Sequence, residues 1–230
     1  NESLRQQLVA EGSALHQLWN EISAVGPNGV IGVFAESVQE RTGATLSNRM
    51  WTGLSALLSH VDVPLVMDET TSGFGRTGRG LWRSASLPIQ PEVVLFYGGG
   101  QLAHVFVTDR YFLAKPLQLI STWDGDEVST LRLAWLLRAF RSGNHQEMAQ
   151  AFEQKLGEVL HEKGITAHGE GFYLVFKPAD GQAERVRSAL QSRGVYVGHG
   201  PGGHVICVPA LTSLNSHTIQ QVATAMQDVL

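Results

Sequence analysis

The sequence predicts an α/β protein made of two parts. Short apolar segments alternate with amphipathic helices through the first half, as in proteins whose helices pack on a mainly parallel sheet. In the second half of the chain, two long helices are followed by short strands and glycine turns, which is typical of a smaller α+β domain after about residue 141. We therefore divide the chain into residues 1–141 and residues 142–230.

Hydrophobic periodicity defines the elements of the first part. Apolar residues recur at helical spacing in residues 3–22 and 47–60, which predicts two amphipathic helices. The strand at 30–35 is apolar on both faces, which favours a central place in a parallel sheet. Further apolar segments predict strands at 63–67, 93–96 and 104–107.

Two long helices are predicted next, 126–141 at the end of the first part and 146–163 at the start of the second, separated near Gly143. Asn215 is a suitable amino-terminal cap for a final helix. Between them, the pattern predicts a strand at 172–177, a helix at 182–193 and strands at 195–197 and 204–208.

Composition excludes several classes of protein. Lys and Arg number 17 against 21 Asp and Glu, so the net charge is -4, and no block of like charge occurs. This argues against a general nucleic-acid or anionic-membrane binder, because both need concentrated positive charge. The one cysteine, Cys207, excludes an intrachain disulfide framework, and its apolar strand predicts a buried thiol. No apolar run reaches the ~20 residues of a membrane helix, so we expect a cytoplasmic protein.

The most informative segment is LVMDETTSGFGRTG at residues 65–78. It places Asp68 and Glu69 at the carboxyl end of an apolar strand, beside a glycine-rich loop. Open α/β sheets bind ligands at that edge, although a bare Asp-Glu pair more often starts a loop or caps a helix. The full pattern resembles the signature of the class III aminotransferases, pyridoxal 5'-phosphate (PLP) enzymes of fold type I. Within them it is most similar to the lysine ε-aminotransferase group.

The resemblance extends from about residue 29 to the carboxyl terminus. AESVQ at 35–39 is similar to the family's Ala-Glu-Pro-Ile-Gln segment, and PEVVLF at 91–96 to the strand before its catalytic lysine. Other similar segments are STWDGD at 121–126, HGEGF at 168–172 and PAL at 209–211. The resemblance implies that residues 1–141 are the carboxyl-terminal part of the PLP-binding large domain. Residues 142–230 would be the small aminotransferase-like domain.

The resemblance also implies residue roles. Asp68 would pair with the pyridine nitrogen of PLP and keep it protonated, so that the ring acts as an electron sink. Thr122 would reach across a dimer interface to the phosphate of the neighbouring subunit's PLP. Outside this resemblance, a cap or turn role is commoner for such a threonine. Glu36 would lie near the substrate side of the site.

Three family positions have lost their functional group. The Schiff-base lysine falls on Gly98, or on Gly99 with another gap, and neither has a side chain that could hold PLP. The glutamine that supports the PLP phenolic oxygen is Thr71 here. The arginine that binds a substrate carboxylate falls in the apolar stretch 206–208, which cannot replace a guanidinium fork. We therefore expect transamination to be lost and PLP to bind weakly or not at all.

Family members are nearly twice as long as this chain, and their amino-terminal half supplies a phosphate-binding turn and an aromatic that stacks on PLP. No such segment precedes Gly29. The sequence therefore predicts an incomplete sheet with exposed edges. We expect a protein partner or another polypeptide segment to complete it, in a homo- or heterodimer.

Two histidine-based alternatives are weaker. His104 could replace the lysine as a base, but its spacing is wrong and a structural role at a strand is favoured. His199 and His204, with His217 or Asp180, could suggest a metal site. A metal needs three or four convergent ligands, and only two of these are local in sequence, so we expect no metal.

Three functions remain open at this stage. The chain could be a non-catalytic structural or partner-binding subunit, that is, a pseudoenzyme. It could belong to a heteromeric aminotransferase and lend Thr122 to a partner's active site. It could also be a lysine-independent PLP enzyme that uses Asp68 and another base. The sequence favours the first over the second, and both over the third.

Overall fold

A computed structural model describes residues 2–97, 103–116, 118, 126–210 and 215–230. Its helices are α1 Glu2–Val25, α2 Asn48–Val61, α3 Glu127–Ser142, α4 His145–Glu162, α5 Ala183–Gln191 and α6 Ser216–Val229. Its strands are β1 Val33–Glu36, β2 Leu65–Asp68, β3 Val93–Tyr97, β4 Ala103–Val107, β5 Ala167–Glu170, β6 Tyr173–Phe176, β7 Gly198–Gly200 and β8 His204–Cys207. Short 3-10 turns lie at Pro27–Gly29, Ser84–Ser86, Asp109–Tyr111 and Pro201–Gly203.

The first sheet has the strand order β1-β2-β3-β4. The first three strands are parallel, and β4 runs antiparallel to β3. The carboxyl ends of the parallel strands therefore share one edge, where Asp68 pairs in register with Glu36 on one side and Leu95 on the other. α1 and α2 pack on one face through a core of Ile22, Trp51, Leu54, Leu58, Val63, Leu65, Met67, Leu87 and Ile89.

Both outer strands of this sheet pair on one side only within the described ranges. Phe34 on β1 is 62% exposed, and Val105 and Phe106 on β4 are also exposed. The expectation that residues 30–35 form a central strand therefore stays a prediction, since β1 lies at an edge only within the described residues. The apolar residues on both faces of this segment predict a strand whose two faces are covered. In β1, Val33 and Ala35 pack on the core with α1 and α2, whereas Phe34 on the other face is exposed.

The second sheet is antiparallel throughout, in the order β5-β6-β8-β7. Residues of α4, α5 and α6 pack with β6 and β8 in a second core, which includes Phe152, Phe172 and Met226. Cys207 belongs to this core, and burial raises the pKa of its thiol to about 12. The prediction of a buried thiol is confirmed. Asn215 caps α6 as predicted, since its Oδ1 accepts a hydrogen bond from the Thr218 amide at 2.9 Å.

One predicted strand in this part is misplaced, and one observed strand was not predicted. The strand predicted at 195–197 lies instead at Gly198–Gly200, because the Pro201–Gly203 turn sets the register in which it pairs with β8. β5 was not predicted, because its sequence, AHGE, has no apolar alternation. No helix of the described chain is long and apolar enough to cross a membrane.

Candidate functional site

Two predicted site residues meet at the carboxyl edge of the first sheet. Glu36 and Asp68 are register partners at the ends of β1 and β2, so their backbones lie about 4.8 Å apart, the ordinary spacing of neighbouring strands. Asp68 Oδ1 accepts hydrogen bonds from the backbone amide of Thr70 at 2.8 Å and from its hydroxyl at 2.6 Å. Within the described residues Oδ2 accepts none, so this oxygen can still take a proton donor from a ligand.

Glu69 has a structural role, although it belongs to the same motif. Its side chain is 1% exposed. Its carboxylate accepts hydrogen bonds from the Ser72 hydroxyl at 2.8 Å, the Arg83 amide at 3.2 Å and the Ser84 amide at 2.6 Å. The two amides begin the 3-10 turn Ser84–Ser86. Glu69 therefore closes residues 69–84 into a fixed loop, which we call the motif loop.

A buried ion pair fastens the motif loop to the second sheet. Arg83 donates to Glu170 of β5 through Nε at 2.5 Å and Nη2 at 2.9 Å. Arg79 Nε donates to the same carboxylate at 3.1 Å. Arg83 and Glu170 are only 8% and 9% exposed, and paired geometry of this kind is what makes a buried charge tolerable.

Close backbone contacts hold the same junction. The Phe172 amide donates to the Arg76 carbonyl at 2.6 Å, and the Gly171 amide donates to Glu153 Oε2 at 2.7 Å. Gly171 has φ +58, and a Cβ atom there would lie 2.4 Å from the Arg76 carbonyl oxygen. Only glycine fits without displacing the backbone, so the position of Arg76 is tightly set by the β5–β6 turn.

A cleft of about 440 Å³ opens between the two sheets beside this junction. Its wall from the first part consists of Glu40, Thr70, Thr71 and Arg76, and its wall from the second part consists of Tyr173, Tyr196, Gly198, His199, Ile206 and Val208. Thr71, a predicted site residue, therefore faces the cleft. Asp68 and Glu36 are not among the lining residues but end their strands just before the segments that line it.

The cleft contains a cation and a phenol that are both perturbed by burial. Burial lowers the pKa of Arg76, and Tyr173 partly opposes this shift. Burial raises the pKa of Tyr173 to about 12, with the negative charges of Glu40 and Glu36 adding to the effect. The Tyr173 hydroxyl donates to the Glu40 carbonyl at 2.5 Å, which ties the second sheet to the segment after β1.

None of the four lysines lines this cleft. Lys155 lies 3.8 Å from Glu158 on α4, Lys163 Nζ donates to the Gln227 carbonyl at 2.8 Å, and Lys177 lies 3.2 Å from Asp180. Lys115 is exposed beyond β4. The predicted lysine position, Gly98, and the predicted phosphate ligand, Thr122, lie outside the described residues.

The histidine alternatives gain no support from the geometry. The His104 ring stacks on Phe96 at 4.7 Å between centroids, in an aromatic cluster with Trp82 and Phe106. Its pKa is lowered by burial, which is the behaviour of a packed imidazole. His204 Nδ1 lies 2.6 Å from the Pro201 carbonyl within its own turn. In the described ranges, no three His, Cys, Asp or Glu side chains converge as metal ligands.

The sequence indicated no role for the cleft residues Glu40, Arg76, Tyr173 and Tyr196, and suggested His199 only as a weak candidate metal ligand. Arg76 is part of the Gly-Phe-Gly-Arg-Thr-Gly pattern, so its motif was visible. Its contribution to a ligand cleft depends on packing against the second sheet, more than ninety residues away in the chain, and no local pattern reports such a contact.

The fold and the site at the sheet edge define a protein of the PLP-transferase fold type I. The model of the class III aminotransferase family matches residues 2–230. The chain therefore belongs to the class III aminotransferases, a PLP-dependent family, as its motifs predicted.

Curated relatives support the same family. The 4-aminobutyrate aminotransferase of Schizosaccharomyces pombe is 30% identical over 112 residues, which are 47% of this chain and 23% of that protein. An aminotransferase of Sinorhizobium fredii, named y4uB, is 23% identical over 241 residues, which are 90% of this chain and 51% of that protein. The matched region spans 51% of y4uB and 23% of the S. pombe protein, so this chain spans about half the length of these curated relatives or less.

Solved structures show the same fold. Lysine aminotransferase from M. tuberculosis aligns with TM-score 0.88 and 22% identity, covering 97% of this chain and 54% of that one. Ornithine delta-aminotransferase of Plasmodium falciparum aligns with TM-score 0.80 and 21% identity, covering 94% of this chain and 59% of that one. At 21–22% identity, these alignments establish the shared fold alone.

The residues present fit PLP only in part. Asp68 offers an unoccupied carboxylate oxygen at the sheet edge, which suits a protonated ring nitrogen. No lysine lines the cleft, so no described side chain fits the attachment point of PLP. We therefore derive no reaction step through the cofactor.

Proposed function

We propose that this chain is a non-catalytic member of the class III aminotransferases, which serves as a structural or partner-binding subunit. The observation that carries the proposal is glycine at position 98, where the family has its Schiff-base lysine. β3 runs parallel to β2 and ends at Tyr97, at the same sheet edge that carries Asp68. A residue without a side chain there offers no amine for a Schiff base and no base for proton transfer.

The positions of the other groups support this proposal. Each of Lys155, Lys163 and Lys177 is engaged with a partner of the second part, and none reaches the cleft. Thr71 replaces an amide with a hydroxyl, and the apolar Ile206 and Val208 line the cleft where the family has a guanidinium. Three separate losses at one site favour a protein released from transamination.

We further propose that the first sheet is completed by strands from another polypeptide segment, either elsewhere in the same polypeptide or in a partner chain. β1 and β4 each leave one side unpaired within the described part of the chain. Exposed Phe34 on β1 and Val105 on β4 give these strands an apolar surface. Such edges invite pairing with a further strand, and the chain spans 54% of the lysine aminotransferase it resembles.

A second candidate is a subunit of a heteromeric PLP-dependent aminotransferase. The segment STW at 121–123 still matches the family, while the lysine, glutamine and arginine positions do not. In this version Thr122 binds the phosphate of PLP in a partner's site, and the partner supplies the lysine.

The decisive experiment is borohydride reduction of the purified protein after incubation with PLP, followed by peptide mass mapping. We expect no stable adduct on any of the four lysines beyond nonspecific surface labelling. Asp68→Asn serves as the control, because it removes the ring-nitrogen partner and leaves surface labelling unchanged. An adduct on one lysine of this chain that Asp68→Asn abolishes would contradict the proposal.

The same preparation tests the second candidate. An adduct on a lysine of a copurifying chain, lost in Thr122→Ala while the assembly stays intact, would favour the heteromeric enzyme. Trp123→Ala is the companion variant, since loss of a packed aromatic should weaken the assembly under either proposal.

A further inference from the structure

The cleft between the two sheets contains one guanidinium without a counterion. Arg76 is half-buried, and within the described residues its side chain forms no hydrogen bond and no ion pair. The neighbouring arginines of the motif loop differ, because Arg79 and Arg83 both bind Glu170. A partly desolvated guanidinium lacks compensation unless an anion is supplied.

The backbone around Arg76 is fixed, so its side chain is not a freely moving surface group. The Arg76 carbonyl accepts the Phe172 amide at 2.6 Å, and the Gly171 backbone packs directly against residues 76 and 77. Glycine at position 75 adopts φ +74 immediately before it. The guanidinium is therefore presented to the cleft by a rigid turn, which is the arrangement that a binding site requires.

The opposite wall lacks the positive group expected there. Ile206 and Val208 lie in the stretch where the family resemblance places a carboxylate-binding arginine, and both line the same cleft as Arg76. We infer that Arg76 supplies a relocated carboxylate subsite, and that the cleft binds a small organic carboxylate with its apolar part against Ile206 and Val208. A volume of about 440 Å³ suits a ligand of this size. This inference does not depend on whether the chain retains catalysis.

Two negative groups bear on the subsite. Glu40 lines the cleft. The negative charges of Glu40 and Glu36 also help to raise the pKa of Tyr173, which lies in the opposite wall. They limit the affinity of the cleft for anions, because like charges repel at short range. Glu40→Gln should therefore tighten carboxylate binding, without touching the Tyr173 hydrogen bond to the Glu40 backbone carbonyl.

The test is titration calorimetry of the purified protein, as isolated with any copurifying chain, using pentanoate, pentanamide and inorganic phosphate. We expect pentanoate to bind and the neutral pentanamide to bind at least tenfold more weakly. Arg76→Met should weaken pentanoate binding by about 10- to 100-fold, the range expected when a hydrogen-bonded charged group is removed. Arg79→Met is the matched control, because it removes the same charge from the same loop outside the cleft.

Several outcomes would overturn the inference: equal binding of pentanoate and pentanamide, preferential binding of phosphate, or equal losses in Arg76→Met and Arg79→Met.

A second readout is thermal stability without ligand. Arg76→Met should melt at or above the wild-type temperature, because it removes an unpaired cation rather than a bond. If Arg76→Met does not fold, Val208→Glu provides the alternative. A carboxylate on the opposite, exposed wall should abolish pentanoate binding, and unchanged binding would refute the subsite.

Discussion

Glu170→Gln should be among the most destabilising isosteric changes in this protein. The Glu170 carboxylate accepts three N–H groups, two from Arg83 and one from Arg79, at 2.5–3.1 Å. The substitution keeps the shape but removes the charge and turns one acceptor into a donor. Arg83 then remains buried with the neutral Ser86 hydroxyl, 2.8 Å from Nη1, as its other partner. Breaking one side of a buried pair costs about 3–5 kcal/mol.

Urea denaturation followed by circular dichroism measures this loss. With a slope of roughly 2–3 kcal/mol per M, the midpoint should fall by about 1–2 M. Asp62→Asn is the matched comparison, since Asp62 also accepts two bonds from one arginine, Arg110, but both side chains are exposed. We expect little change there, because water compensates an exposed pair. Equal midpoint shifts in the two variants would refute the reasoning that burial determines the cost.

Two further substitutions test the junction. Gly171→Ala places a Cβ 2.4 Å from the Arg76 carbonyl at φ +58 and should destabilise the fold by more than ~1 kcal/mol. Gly181→Ala, at φ +77 with no atom within 4 Å, measures the backbone strain alone, and equal urea midpoints for the two variants would show that the close contact is harmless. The pKa of Tyr173 is raised from 10.0 to about 12 in the folded protein. Its contribution to the free energy of unfolding is therefore present below pH 10 and is lost as the pH rises through 12. Over that window the free energy of unfolding should fall more steeply in the wild type than in Tyr173→Phe. Tyr196→Phe, at a side chain 79% exposed, should behave as the wild type, and parallel curves for Tyr173→Phe would contradict the assignment.

Local patterns were sufficient for most helices and for the strands that carry the motifs. The apolar run before Asp68 predicted β2, and Asn215 predicted the start of α6. β5 escaped prediction because its four residues, AHGE, gain their strand conformation from pairing with β6 rather than from their own side chains. The exposure of Phe34 on β1 was not predicted either, because an apolar sequence on both faces indicates a strand that is covered on both faces.

The candidate site was predictable as a location but not as a set of contacts. Asp68 was placed at the sheet edge because the end of its strand is visible in the sequence, and Glu36 was placed near the site by the family resemblance. By contrast, the sequence around Glu69 does not indicate that its carboxylate accepts hydrogen bonds from the amides of residues 83 and 84. Arg83 and Glu170 are 87 residues apart, and a single sequence carries no record of such pairing. The roles predicted for Gly98 and Thr122 stay predictions.

The strand order has a consequence for the sequence of events in folding. In the first sheet every strand pairs with its neighbour along the chain, and the second sheet departs from this only where β8 lies between β6 and β7. Paired residues in both sheets are therefore at most 33 residues apart in the chain, so each pairing closes a smaller loop than a contact across 87 residues does. The ion pair of Arg83 with Glu170 spans 87 residues and can form only when the two sheets meet. We expect this contact to form late, so that breaking it raises the unfolding rate more than it lowers the folding rate.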